Sequence, residues 1–300
     1  MMELKYGKVS IIMRTKNRNI FLKRAIQDVI NQTYEDWILV IVNDGGNKKE
    51  VDDLVNSYSS IVKKTVVIHN EESIGMEAAS NKGINSVNSD FVVIHDDDDT
   101  WESDFLKVTV GYLESNLECQ GAITHSNKVI EKIKNNQYIK VKKIRPFNTY
   151  LHGMIDICEI CSQNLFSPIS FIYRRKVFEK IGFYDESLPV LGDWEFNLRF
   201  IREFDIHVIE RRLANYHQRP KVKKGEYSNS IVGGRDTHLH YQIYLKNKLL
   251  RNDLRRNNLN MGIISSCSQN ISLYKKIIHK IENISSNITI GRKNDNKKLY

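Results

Sequence analysis

Four consecutive carboxylates, Asp96 to Asp99, follow the apolar run Phe91 to His95 and are the residues best equipped for chemistry in this chain. Adjacent carboxylates repel one another unless they are solvated or share a cation, and an oxygen-rich cluster suits Mg2+ or Mn2+. A divalent ion held there would bridge the two phosphates of a nucleotide and carry the charge that develops when a diphosphate leaves. The plain alternative is an exposed acidic turn capping a helix that begins near Trp101. Two further polar clusters end apolar runs, Thr15 to Arg18 and Asn43 to Gly46. Asp193 and Glu195 open a stretch with helical spacing, where a carboxylate serves either as a cap or as a base.

The elements that must position these groups alternate between two periods. Val9 to Met13, Trp37 to Val42, Thr65 to His69 and Phe91 to His95 read as buried strands, and the stretches after the first three carry apolar residues at helical spacing. Alternating β and α elements of this length predict a mostly parallel, Rossmann-like α/β sheet flanked by helices. Ligands collect at the carboxyl ends of such strands, where the three polar clusters fall. Residues 120 to 165 are less regular, and Lys128 to Lys143 read as a solvated hairpin or loop. Strand and helix patterns return from Phe166 to Phe183, Gly192 to Glu203 reads as a helix, and no internal repeat is visible.

Composition limits the readings further. Three hundred residues, 41% of them hydrophobic, suffice for a main domain over 1–235 and an extension over 236–300. No run of 18 apolar residues and no leader-like segment is visible, which predicts a cytoplasmic protein. Four cysteines in this length make no disulfide framework, and Cys158 with Cys161 has zinc-like spacing but no second pair. The net charge is +9, yet residues 236 to 300 hold 12 Lys and Arg against 4 Asp and Glu, so the first 235 carry only +1. With little aromatic interleaving in the tail, nucleic acid is not an expected partner. Arg251, Arg255, Arg256, Lys275, Lys276, Lys280, Lys297 and Lys298 fit peripheral contact with an anionic inner membrane face, or equally a solvated helical appendage with a short apolar stripe at Ile271, Leu273, Ile277 and Ile278.

Several motifs in order resemble family 2 glycosyltransferases of the GT-A fold, over residues 8 to 235. Val9-Ser-Ile-Ile-Met-Arg-Thr-Lys-Asn-Arg18 resembles the family's opening strand and loop, and Ile41-Val-Asn-Asp-Gly-Gly46 its V-D-D-G-S segment. Asn70 to Gly83, with Asn81, resembles its small-residue helix, and His95-Asp-Asp-Asp-Asp-Thr-Trp101 its D-x-D element. Leu191-Gly-Asp-Trp-Glu-Phe196 resembles its E-D element, and Asn215-Tyr-His-Gln-Arg219 with Tyr227-Ser-Asn-Ser-Ile231 a donor-closing segment. The resemblance implies inverting transfer from a nucleotide-sugar donor, by preference a UDP-sugar, to a glycan or lipid-linked acceptor in surface polysaccharide synthesis such as capsule or lipopolysaccharide. It implies that Thr15, Asn17, Arg18, Asp44, Asn81, Asp96, Asp97 and Arg219 hold the donor, with Thr15 and Asp44 at the base and Asp96 at the ribose. Asp98 would bind a Mn2+ or Mg2+ ion, His217 would complete the metal shell or touch the diphosphate, and Ser228 and Ser230 are weaker candidates. Asp193 would be the catalytic base, with Glu195 in reserve.

The departures matter as much. Arg14 stands where proline is common, Asn43 replaces the first aspartate, Ser80 stands where an arginine is frequent, and Gly192 replaces the usual glutamate before the base. Loss of that glutamate is expected to widen the acceptor site. Two rivals remain. Phe91 to Thr100 obeys the strand and D-x-D-x-T pattern of haloacid-dehalogenase-type phosphatases, with Asp96 as nucleophile and Asp98 as acid, but leaves some ninety preceding residues unexplained. A non-catalytic nucleotide-sugar or glycan-binding module has no physical need to keep Asp98, Asp193 and His217 together.

Overall fold

The computed structural model describes residues 4–134, 138–222, 225–229, 234–256 and 260–268. Eight helices and nine strands are used below. They run β1 (Val9–Thr15), α1 (Asn19–Ile30), β2 (Trp37–Asp44), α2 (Lys48–Asn56), β3 (Thr65–Asn70), α3 (Met76–Asn85), β4 (Phe91–Ile94), β5 (Thr100–Trp101) and α4 (Phe105–Ser115). There follow β6 (Gly121–Lys134), β7 (Tyr138–Phe147), α5 (Ile157–Ser162), β8 (Phe171–Arg174), α6 (Val177–Ile181), α7 (Gly192–Glu203), β9 (Ile206–Gln218) and α8 (Arg235–Arg256).

Among the described residues the strands form one sheet in the order β3-β2-β1-β4-β8-β6-β9-β5, with β7 paired to β6. The β3-β2-β1-β4 half is parallel throughout. Its strands read as unbroken apolar runs because both faces are covered, and all eight residues of β2 are buried. α1 buries Phe21, Leu22, Ala25, Ile26 and Val29, one stripe at helical spacing. α2 is capped locally: Asn47 accepts the Glu50 amide at 3.3 Å and donates to its carboxylate at 3.0 Å, an arrangement worth about 1 kcal/mol.

The second half departs from the sequence expectation. No helix begins at Trp101; Thr100 and Trp101 pair with Asn215 and Ala214 of β9, and the helix starts at Phe105. The Trp101 indole donates to the Ile169 carbonyl at 2.7 Å and stacks on Phe105 at 4.4 Å. The lysine-rich stretch is a hairpin, as one of the two readings had it, but not a wholly solvated one. β6 is antiparallel to β7 and β8 and parallel to β9, so Val129 and Glu131 are buried within it.

The chain divides into two compact units, residues 1–155 with 164–245, and residues 156–163 with those from 246 on. Within the second, Ser265 donates to the Cys161 carbonyl at 2.7 Å. Cys158 and Cys161 are free thiols, and the apolar stripe and basic residues expected beyond 268 lie outside the described residues.

Gly83 shows why α3 is built of small residues. A Cβ there would lie 2.8 Å from the Ile12 Cγ2 and 3.1 Å from the Val42 Cγ2, so the helix packs directly on β1 and β2. Gly83→Ala is expected to lower the unfolding free energy by about 1–3 kcal/mol through overpacking, read as a lower urea midpoint at unchanged m-value.

Candidate functional site

β4 delivers the acidic run to the edge of the sheet, and α1 fixes it there. Asp28 of α1 lies 3.0 Å from the His95 Nε2 and accepts the Trp101 amide at 2.6 Å, gripping the run at both ends. The run is not an exposed turn: Asp97, Asp98 and Asp99 are 1%, 8% and 2% exposed. Each carboxylate has its own partner. Asp96 pairs with Arg14, and Asp97 accepts the Thr15 hydroxyl at 2.8 Å and pairs with Arg18 at 2.9 Å. One Asp98 oxygen accepts from Arg18 at 2.9 Å, from Arg219 and from Asn229 at 3.2 Å. Asp99 accepts the His217 amide at 2.8 Å.

Behind them Glu131, at the inner end of β6, ties three more groups together. It pairs with Arg24 at 2.9 Å and with Arg219 at 2.7 Å, and accepts the His217 Nδ1 proton at 2.9 Å. The Arg219 side chain is fully buried; it also donates to the Tyr227 carbonyl at 2.7 Å and lies 4.4 Å over the Phe21 ring, a cation–π contact. Burial drives Asp97, Asp98 and Asp99 toward the neutral form. Arg18 and Arg219 overcome it at Asp98, which is held down to about 2. At Asp97 burial and the Asp98 charge prevail over Arg18 and raise it to about 6, and Asp99 is raised well above the carboxylate range for the same reasons. Burial also works against Glu131, but His217 and Arg24 hold it at about 2.

The donors expected to hold a Mn2+ or Mg2+ ion are engaged by protein partners. Three donors meet at one Asp98 oxygen, and His217, expected in a metal shell, has its Nδ1 on Glu131 and its Nε2 facing the Thr100 hydroxyl at 2.9 Å. Burial lowers its affinity for a proton, keeping it the neutral brace between β9, β5 and β6. Among the described residues no group of three or more His, Cys, Asp and Glu side chains is placed to hold a metal ion. Arg219, expected at the donor, is likewise a buried partner of Asp98 and Glu131.

A cavity of about 520 Å3, within the range of small-molecule sites, opens over the run. Arg14, Thr15, Arg18, Asp44 and Asp96 to Asp99 line it from the ends of β1, β2 and β4, and Asp193 lines it from the first turn of α7. Asp193 accepts from Asn164 at 2.7 Å, and burial raises its proton affinity against that bond. Glu195 is committed to Arg199 through two bonds of 2.8 and 2.7 Å. The side-chain space left by Gly192 is not open: a Cβ there would meet the Glu77 Oε1 at 2.0 Å.

A family model described as Glycosyl transferase family 2 matches residues 10–182. The chain belongs to glycosyltransferase family 2. An "uncharacterized glycosyltransferase" of Methanocaldococcus jannaschii is 26% identical over 216 residues, 69% of this chain and 70% of the relative. Among solved structures, S. aureus TarS in complex with UDP-GlcNAc is similar with a TM-score of 0.58 at 17% identity, over 73% of this chain and 60% of that one. The mannosyltransferase PcManGT of Pyrobaculum calidifontis, in complex with GDP-Man and Mn2+, gives 0.55 at 14%, over 74% and 59%. These likenesses establish the GT-A fold, and the chain spans about three fifths of those two solved chains.

Within this family 2 fold several expected donor residues have other work. Asp44 lines the cavity but its carboxylate already accepts from Asn70, Ser73, Ile74 and Gly75 at 2.9, 2.7, 2.9 and 3.2 Å. Burial raises its pKa, yet these bonds prevail and hold it low, so Asp44 anchors the 70–75 turn. Asn17 and Asn81 are not among the lining residues. Asn17 accepts the Asn47 amide at 2.9 Å, joining two loops, and Asn81 clasps Tyr184 and Glu186 at 2.9 and 2.8 Å. Ser228 is at the cavity wall; Ser230 lies outside the described residues. Arg24, Glu77, Glu131 and Tyr184 were not singled out by the sequence, and Asn229 stood only within the Tyr227-Ser-Asn-Ser-Ile231 motif. Only Glu131 carried a signal, sitting in step with Val129 and Ile133 between outward lysines.

Because Glu131 has an ordinary value of 4.5 and is held at about 2, its contribution to stability is complete above pH 4.5 and lost as pH falls toward 2. Glu131→Gln should therefore destabilise the fold most at neutral pH, by about 3–5 kcal/mol for a broken buried pair, and the gap to wild type should close toward pH 2 in urea unfolding.

Proposed function

We propose that this chain transfers a glycosyl group, with inversion, from a UDP-sugar to a hydroxyl of a glycan or lipid-linked acceptor. The observation that carries the reading is Asp193: a partly buried carboxyl of raised proton affinity, lining the same cavity as the ends of three parallel strands. A base for a hydroxyl must bind a proton more readily than an exposed aspartate, and burial supplies that. Asp193 takes the acceptor proton as the oxygen attacks the anomeric carbon, and the sugar–diphosphate bond breaks on the opposite face. Arg18 and Arg14, both at the cavity wall, meet the charge of the departing diphosphate through their planar forks. Thr15 and the Asp44-anchored 70–75 turn form the wall for the nucleoside.

The uridine assignment draws on the sequence resemblance and on the UDP-GlcNAc in TarS. Surface polysaccharide synthesis is inferred from family analogy alone. No helix among the described residues is long and apolar enough to cross a membrane, and peripheral contact through the basic tail is part of the proposal. The phosphatase alternative asks for Asp96 as a free nucleophile, whereas Arg14 holds it.

Calorimetric titration with UDP, with and without Mn2+, tests the donor site. UDP is expected to bind wild type and Asp193→Asn alike, while UDP release from the UDP-sugar it accepts falls about 10²–10⁴-fold in the variant. The acid limb of the wild-type rate should lie above the ordinary aspartate value of 3.8, because Asp193 must be ionised to act and its pKa is raised. Failure of every nucleotide to bind would remove the reading.

A further inference from the structure

We infer that Glu77 is a positioning residue for Asp193, capping the first turn of α7 from outside that helix and joining the base, through Arg14, to Asp96. The inference rests on the role proposed above for Asp193. The residue before α7 does not cap it, and within the first turn Asp193 accepts the Trp194 amide, which leaves the Gly192 amide to a partner from elsewhere. Leu191, the residue before it, adopts a left-handed conformation with φ 67° and makes no side-chain capping bond. A buried helix start without an acceptor is costly, since its first amides have no partner inside the helix. Glu77, on α3 and itself buried, supplies one by accepting the Gly192 amide.

The fit depends on residue 192 having no side chain. A Cβ there would fall 2.0 Å from the Glu77 Oε1 and 2.3 Å from its Cγ, so the carboxyl occupies the space directly over the first turn. The same carboxyl is 3.5 Å from the Arg14 Nη1, while the Arg14 Nη2 pairs with Asp96. One guanidinium thus spans the carboxyl beside the base and the acidic run, with its Nε left without a partner. The groups facing Asp193 are Glu77 from α3, Asp96 after β4, Arg14 from β1, Tyr184 before α7 and Tyr216 from β9, with Asn164 hydrogen-bonded to it. Asp96 raises the proton affinity of Asp193 and Arg14 restrains it, while burial and then the Asp193 and Asp96 charges push Glu77 up to about 7 against Arg14. A conventional acid with its own cap would lack this dependence on a distant helix.

Carbon-13 NMR of the full chain, labelled at the glutamate side-chain carboxyl, tests this directly; the Glu77 signal is the one missing from Glu77→Gln. Asp193→Asn removes a charge that raises Glu77, and should lower the Glu77 midpoint by about half a pH unit or more. Glu77→Ala removes the acceptor of the Gly192 amide, and should speed hydrogen exchange in the first turn of α7 about tenfold, whereas Glu77→Gln, which keeps an acceptor, should change it less. An unmoved Glu77 midpoint in Asp193→Asn, or unchanged α7 exchange in Glu77→Ala, overturns the inference. Should Glu77→Ala not fold, the Glu77 midpoint in Asp193→Asn decides alone. These readouts need no nucleotide, so a failure of UDP to bind would sink the transferase reading without touching them.

Discussion

Burying adjacent carboxylates is the constraint around which this molecule is arranged. Water normally screens such charges from one another, and removing it costs several kcal/mol per ion unless partners replace it. Arg14 replaces it at Asp96, Arg18 at Asp97 and Asp98, and Arg219 at Asp98, and Arg24 adds a bond to the Asp98 carbonyl. Proton affinity divides accordingly: Asp98, with two guanidiniums, stays strongly acidic, and Asp97 and Asp99, less well matched, do not. Phe21 lies beneath three of these arginines, at 5.1, 5.4 and 4.4 Å from Arg18, Arg24 and Arg219, which fixes their planes as the carboxylates fix their charges.

That requirement explains why the less regular half of the chain matters to the site. The family match ends at residue 182, yet Asp193, His217 and Arg219 all lie beyond it. β6 and β9 run parallel and side by side, with Val129 opposite His217, so Glu131 and Arg219 reach the acidic run from the far end of the sheet. Parallel pairing across so long a separation pays only when the residues it brings together satisfy buried charge. Lys132, beside Glu131 on β6, remains exposed and keeps that edge of the hairpin wetted.

How much of this was legible varies with the range of the interaction. The βα alternation of the first hundred residues is a local pattern, and the four aspartates at the end of an apolar strand are conspicuous in any reading. The place of Asp193 in the first turn of a helix was also legible, because it is a local feature. What single positions cannot convey is the partner. Asn81 sits in a motif that resembles a donor-binding helix, yet its amide clasps a loop a hundred residues on; His217 resembles a ligand, yet Glu131 and Thr100 use both its nitrogens. Gly192 reads as an open space, and only the fold brings Glu77 from α3 to fill it. Four adjacent carboxylates imply cations, but not that arginines distant in sequence pair with them.

The claim beneath the rest is that Asp98 and Arg219 form one electrostatic unit, and a double-mutant cycle measures it. Urea unfolding of wild type, Asp98→Asn, Arg219→Gln and the double variant should give a coupling on the order of 1–3 kcal/mol, each single change leaving a buried partner unmatched. Additive effects, with the double variant as destabilised as the sum of the singles, would mean that the acidic run is held by something other than its arginines.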